Sequence, residues 1–228
     1  MQKEQTMSTT KVRIIIGAYG SGKTEAAINL ALREQGAVLV DLDIVNPYFR
    51  SRDAREALAV AGIKVISCSP GMEEADLPSI SPAILGILQT PGQNIIFDVG
   101  GDPVGARALG RFHQLLINMR PEVWAVVNPY RPGTRTAEQV AQILAAMSQA
   151  ARLEVTGLVA NPNLGPETAA ETVLEGGRRV REAAAALGLP VVMTCVRADL
   201  IGGLDAQDLG PILPIRRYML LPWEKNGG

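Results

Sequence analysis

The chain has 228 residues, 47% of them hydrophobic and 20% charged, proportions that supply a sizeable apolar core and exclude wholesale disorder. Lys and Arg total 22 against 23 Asp and Glu, a formal net charge of -1, which excludes a global basic field of the kind that holds nucleic-acid phosphates. Two cysteines and one histidine leave little for a thiolate or imidazole metal site and point to a reducing cytoplasm.

Taken in chain order, the first ten residues, MQKEQTMSTT, are polar and read as a flexible tail without the apolar run of a secretion signal; residues 11–228 then read as one domain. No stretch reaches the roughly 18 apolar residues of a membrane span. Short β-branched runs alternate with longer helical stretches, the pattern of crossover units on a parallel sheet. Strands are predicted at 12–16 (VRIII), 37–41 (AVLVD), 64–67 (KVIS), 94–98 (NIIFD), 123–127 (VWAVV), 155–160 (VTGLVA) and 191–196 (VVMTCV). Most are unbroken apolar runs, as strands covered on both faces should be. The expected fold is α/β, a three-layer α/β/α arrangement around a mostly parallel sheet of roughly seven strands.

Between the strands, Thr136 and Gln139 form a capping-box pattern, after which Val140, Ile143, Leu144 and Met147 share one helical face. Pro166 suits the first turn of the next helix, which should end before Gly188 and Pro190, with Gly176 and Gly177 as unexplained interior glycines. The last stretch, PILPIRRYMLLPWEKNGG, is punctuated by Pro211, Pro214 and Pro222 and reads as an irregular wrap.

The chemistry concentrates after the first strand. Gly17, Ala18, Tyr19, Gly20, Ser21, Gly22, Lys23 and Thr24 spell G-x-x-x-x-G-K-T between a predicted strand and a predicted helix, the context a phosphate-binding loop requires. Gly20 and Gly22 let the backbone turn its N–H groups inward, and the helix beginning near Lys23 adds its positive dipole end. Lys23 is expected to reach the β- and γ-phosphates as a catalytic cation, and the Thr24 hydroxyl to ligate Mg²⁺. That ion needs an acid from a neighbouring strand. Asp98 ends the run NIIF and precedes Val99-Gly100-Gly101, so it is the candidate; Asp102 is the better candidate for capping the helix from Pro103. Asp41 and Asp43 end the second strand as VDLD, at the sheet edge where ligands of such folds bind.

These segments, with VDLD, FDVGG and LVAN in that order over about residues 11–200, resemble the SIMIBI class of P-loop proteins, and within it the MinD, ParA and CobQ/CobB ATPases. The resemblance implies that Asp43 positions an attacking water, that Asp98 is the magnesium-site acid and that Asn161 recognises the purine. Two departures narrow it. ParA-type loops carry a lysine at the second loop position that reaches a dimer partner's nucleotide, where this chain has Ala18, so that form of dimer is not implied, although a homodimer stays open. Guanine-specific relatives carry N-K-x-D, whereas this chain reads Asn161-Pro162-Asn163-Leu164, which favours ATP over GTP.

The stretch NPYFRSRDA, with Tyr48, Phe49, Arg50 and Arg52, is either a switch loop or an ordinary helix start. Arg107 and Arg111 stand one helical turn apart, facing a cleft or solvent. His113, Cys68 and Cys195 are expected to be structural. Three functions follow: a Mg²⁺-dependent ATPase that couples nucleotide state to a protein partner, a kinase or ligase acting on a small anionic substrate, or a nucleotide-sensing regulator with negligible turnover.

Overall fold

The computed structural model of the chain describes residues 10–34, 36–42, 58–67 and 82–219. Its strands are β1 Lys11–Ile16, β2 Ala37–Leu42, β3 Lys64–Ser67, β4 Asn94–Val99, β5 Glu122–Val127, β6 Gly157–Ala160, β7 Val191–Arg197 and β8 Ile212–Ile215. They form one sheet in the order β3-β2-β4-β1-β5-β6-β7-β8, and every neighbouring pair is parallel. The helices are α1 Lys23–Arg33, α2 Pro82–Leu88, α3 Pro103–Gly110, α4 His113–Asn118, α5 Ala137–Ala151 and α6 Ala170–Leu187.

Strand alternation divides the core into two layers. Ile14, Val40, Phe97 and Ala125 face one side, where Leu109 of α3, Leu144 of α5 and Val180 of α6 cover them. Ile15, Leu39, Ile96 and Trp124 face the other, where Ala27, Leu30 and Ala31 of α1 pack. Helices on both faces of one parallel sheet give the expected three-layer α/β/α architecture, the fold of P-loop NTPases. Arg13 is buried on the α1 side with its Nε 2.9 Å from Glu122 Oε2 and its guanidinium 5.1 Å from the centre of the Trp124 ring, which ties together the amino-terminal ends of the central strands.

Two expectations need correction. The sheet has an eighth described strand, β8, inside the proline-punctuated stretch read as an irregular wrap. Pro214 sits in it opposite Val196 of β7, and because β8 pairs on one side only among the described residues, the missing proline N–H costs no ladder bond there. The helix expected from Pro166 starts at Ala170 instead, because Pro166 lies in a separate 3-10 turn, Gly165–Glu167. Thr168 holds that turn: its Oγ1 accepts from Leu164 N at 2.9 Å and donates to Gly165 O at 2.8 Å. The interior glycine Gly176 has a packing reason, since a Cβ there would lie 2.5 Å from Pro162 Cβ and 2.9 Å from Tyr130 Cε2.

The capping box is present as read: Thr136 Oγ1 accepts from Gln139 N, and Gln139 Oε1 accepts from Thr136 N. Among the described residues no helix is long and apolar enough to cross a membrane.

Candidate functional site

The loop from β1 to α1 leaves the carboxyl edge of the sheet at its topological switch point, with β4 on one side of β1 and β5 on the other. Gly17 opens it with φ 155°, and a Cβ there would sit 2.6 Å from Val126 O and 2.7 Å from Ser21 Oγ. A tight turn follows, in which Ser21 N donates to Ala18 O at 3.0 Å. Gly20, its third residue, has φ 72°, a conformation that costs glycine little. Gly22 caps α1 in the left-handed region, and a Cβ there would collide with the Asn161 amide. Lys23 and Thr24 then open the helix, with Lys23 only 7% exposed. The first bond of α1 runs from Ala26 N to Gly22 O at 3.0 Å, so the N–H groups ahead of it in the first turn have no acceptor within the helix.

Two consecutive loop carbonyls are held from outside. Asn161 Nδ2 donates to Ser21 O at 2.6 Å, and Arg131 Nε donates to Gly20 O at 3.1 Å. A carbonyl and the following N–H of one trans peptide point in opposite directions. Fixing Ser21 O against Asn161 therefore aims the Gly22 N–H the other way. The Ser21 side chain is buried, and its Oγ has no hydrogen-bond partner among the described residues, an arrangement natural proteins seldom leave without a ligand or water.

The acids come from the strands beside β1. Asp98, second from the end of β4 and buried, is in register with Ile15 of β1 on one side and Asp41 of β2 on the other. Register partners in parallel strands project to the same face, about 4.8 Å apart along the hydrogen-bonding direction. Ile15 belongs to the α1-side core, so Asp41 and Asp98 lie side by side on the face where α1 begins. Asp102 caps α3, accepting from Gly105 N at 2.7 Å. The cap and the buried strand acid are thus different residues. Gly101 packs on the loop itself: a Cβ there would be 3.0 Å from Tyr19 N and Cα.

The structure thus brings together Gly17, Tyr19, Gly20, Ser21, Gly22, Lys23, Thr24, Asp98 and Asn161 around one strand end. Asp43, Tyr48, Phe49, Arg50, Arg52 and Cys68 lie outside the described residues. Arg107 and Arg111 are exposed at the far end of α3. Cys195 is buried in the α1-side core, where burial pushes its thiol up to about 12. Sequence reasoning missed Asn128 and Arg131. The available signal was a polar Asn closing the run VWAVV, followed by the turn formers Pro129, Pro132 and Gly133 on the strand next to β1.

Fold and loop geometry together define a P-loop NTPase fold with an assembled phosphate-loop conformation. No family model and no curated protein matches this chain. Among solved structures it is similar to the cell division protein FtsY of Thermotoga maritima, with TM-score 0.53 and 21% identity over 92% of this chain and 69% of that one. It is also similar to chloroplast FtsY of Physcomitrella patens, with TM-score 0.55 and 19% identity over 92% and 65%. A third likeness is to the signal recognition particle receptor FtsY of Elizabethkingia anophelis in complex with GDP, with TM-score 0.51 and 21% identity over 96% and 64%. The chain spans about two thirds of the length of these structures. At such identities the likeness is one of fold. That fold agrees with the P-loop architecture that the sequence resemblance implies, and the similar structures are FtsY proteins rather than MinD or ParA.

Proposed function

We propose that this chain binds a purine nucleoside triphosphate with Mg²⁺ and uses its hydrolysis to change its affinity for a protein partner. The observation that carries the reading is the Gly17–Thr24 loop, whose three positive-φ glycines and outward-held carbonyls leave backbone N–H groups and buried Lys23 at the start of α1. Such a site favours an anion through both its N–H groups and the helix dipole.

Lys23 would draw charge from the terminal phosphates, while Asn161 keeps the loop in its cradle form. Thr24 and Asp98 are the residues that would hold Mg²⁺, a hydroxyl and a carboxylate being the hard oxygen donors this ion prefers. Bound there, Mg²⁺ neutralises phosphate charge. Asp43 is assigned to orienting the water. The donor set fits: the acid is buried one strand from the loop rather than spent on capping α3.

ATP is the favoured nucleotide because no acid follows Asn161 at the place guanine recognition would need one. GTP is the second reading, favoured by the GDP in the Elizabethkingia FtsY. Titration calorimetry with Mg²⁺–ATP and Mg²⁺–GTP analogues separates the two. Wild-type chain should bind one of them, Lys23→Ala should abolish binding, and Asp98→Asn should remove the gain in affinity that Mg²⁺ brings. Absence of binding to either nucleotide refutes the proposal. Binding without phosphate release, with or without added partner, would leave a nucleotide sensor in place of a hydrolase.

A further inference from the structure

Arg131 lies in the loop after β5, outside the sequence motif, yet its Nε donates to Gly20 O at 3.1 Å, and its Nε and Cζ would lie 3.5 and 3.6 Å from a Cβ on Gly20. That contact is built rather than incidental, because the loop carrying Arg131 is fixed from inside. Asn128, buried at the end of β5, donates through Nδ2 to Asn163 O at 2.8 Å and accepts at Oδ1 from Tyr130 N at 3.1 Å. Its own carbonyl accepts from Arg131 N at 3.1 Å and from Thr134 Oγ1 at 2.6 Å. Thr134 N in turn donates to Arg131 O at 3.2 Å. Every bond in this set lies within the β5 loop or ties it to the loop after β6, so the backbone of Arg131 has little freedom relative to the strand beside β1.

We propose that Arg131 is a positioning residue for nucleotide binding, bracing the Gly20 carbonyl so that the Ala18–Ser21 turn holds the phosphate-binding conformation; this rests on the nucleotide reading above. The Gly20–Ser21 peptide is then fixed at both ends, its N–H on Ala18 O and its C=O on Arg131. The next carbonyl, Ser21 O, is fixed by Asn161. Because Asn128 links the loop carrying Arg131 to the one carrying Asn161, the two braces act on the cradle as one frame. Gly20 is exposed and free to adopt other conformations. Without the brace, the turn must be ordered by the nucleotide itself, at the expense of affinity.

Side-chain chemistry makes the test selective. The bonding atom is Nε, four atoms out from Cα, and the glutamine side chain places its amide Nε2 at that same position without charge or fork. Lysine keeps the charge but puts a methylene where the donor is needed. Nucleotide affinity is measured by titration calorimetry with non-hydrolysable Mg²⁺–ATP and Mg²⁺–GTP analogues, with melting temperature as control. Arg131→Ala should lower affinity about tenfold, the scale of one charge-assisted hydrogen bond, at an unchanged melting temperature. Arg131→Gln should recover most of that loss, and Arg131→Lys should not. An unchanged affinity in Arg131→Ala overturns the brace while leaving nucleotide binding intact. Recovery by Lys but not Gln overturns it too, since charge on the phosphates would then be what matters. A wild-type chain that binds neither nucleotide overturns both readings together.

Discussion

Asn161 Nδ2 lies 2.6 Å from the Ser21 carbonyl, so the end of β6 grips the loop between β1 and α1. The residue that the resemblance assigns to the purine is therefore engaged with the phosphate loop. Its substitutions should separate donor from shape. Asn161→Ala removes one buried hydrogen bond, worth about 1 kcal/mol, and should weaken nucleotide binding about fivefold. Asn161→Asp keeps the shape but sets a carboxylate against a carbonyl and beside an anion site. Its loss should be larger, about a hundredfold, since an uncompensated buried charge costs several kcal/mol. Calorimetric affinities in the order wild type, Ala, Asp check this; an Asp variant as tight as wild type would place the side chain out of contact with the loop.

Gly17 gives the sharpest steric prediction. A methyl group at this residue meets Val126 O at 2.6 Å and Ser21 Oγ at 2.7 Å, and the first of these is backbone of the neighbouring strand. Gly17→Ala must then displace either β5 or the loop. Strain of this kind costs on the order of 1–3 kcal/mol, and in a chain of this size each kcal/mol lowers the melting temperature by about 2–4 °C. The expected outcome by thermal melting is a fall of roughly 5 °C accompanied by loss of nucleotide binding. A variant that melts and binds like wild type would show that the loop yields freely.

Seven strands were legible because buried parallel strands are short β-branched runs bounded by turn residues, whereas a buried helix needs roughly ten or more residues. β8 was hidden by Pro214, whose exclusion from sheets fails at an edge. The start of α6 was misplaced because proline suits a 3-10 turn as well as a helix start, and only the Thr168 bonds reveal which is formed. The turn conformations of Gly17, Gly20 and Gly22 and the helix start at Lys23 were legible since the G-x-x-x-x-G-K-T spacing presupposes that local backbone. Arg131 was not, because its role depends on β5 lying beside β1, a fact of strand order. The adjacency of Asp41 and Asp98 likewise follows from β4 inserting between β2 and β1.

Cys195 should be inert in the native protein. Burial in the α1-side core pushes its thiol up to about 12, leaving at pH 8 a thiolate fraction of order 10⁻⁴, against roughly a quarter for an unperturbed cysteine. Alkylation resolved by peptide mass spectrometry should therefore leave Cys195 unmodified until the protein is unfolded. Rapid labelling of the native chain at this residue would place the sulfur at the surface.

Glu25 follows Thr24 directly and couples α1 to the segment after β8. Its carboxylate accepts from Tyr218 N at 2.9 Å and from Met219 N, while Asn29, one turn on, exchanges two hydrogen bonds with the Arg216 backbone. Burial raises the Glu25 pKa above the ordinary 4.5, outweighing those two backbone N–H groups and the charge of Arg217. A carboxyl with a raised folded pKa carries no penalty at acid pH, where it is neutral in both states. As pH rises past the unfolded value, the unfolded chain releases its proton first and the folded state loses stability. The loss is complete above the folded pKa. Glu25→Gln retains an oxygen to accept the same N–H groups and does not titrate. The melting temperature of Glu25→Gln minus that of wild type should thus increase from pH 4 towards neutrality and then level off, with titration of the rest of the protein cancelling in the difference. A difference that shrinks as pH rises would mean that the Tyr218 and Met219 bonds outweigh burial, and that the carboxylate holds this segment on α1 chiefly through its charge.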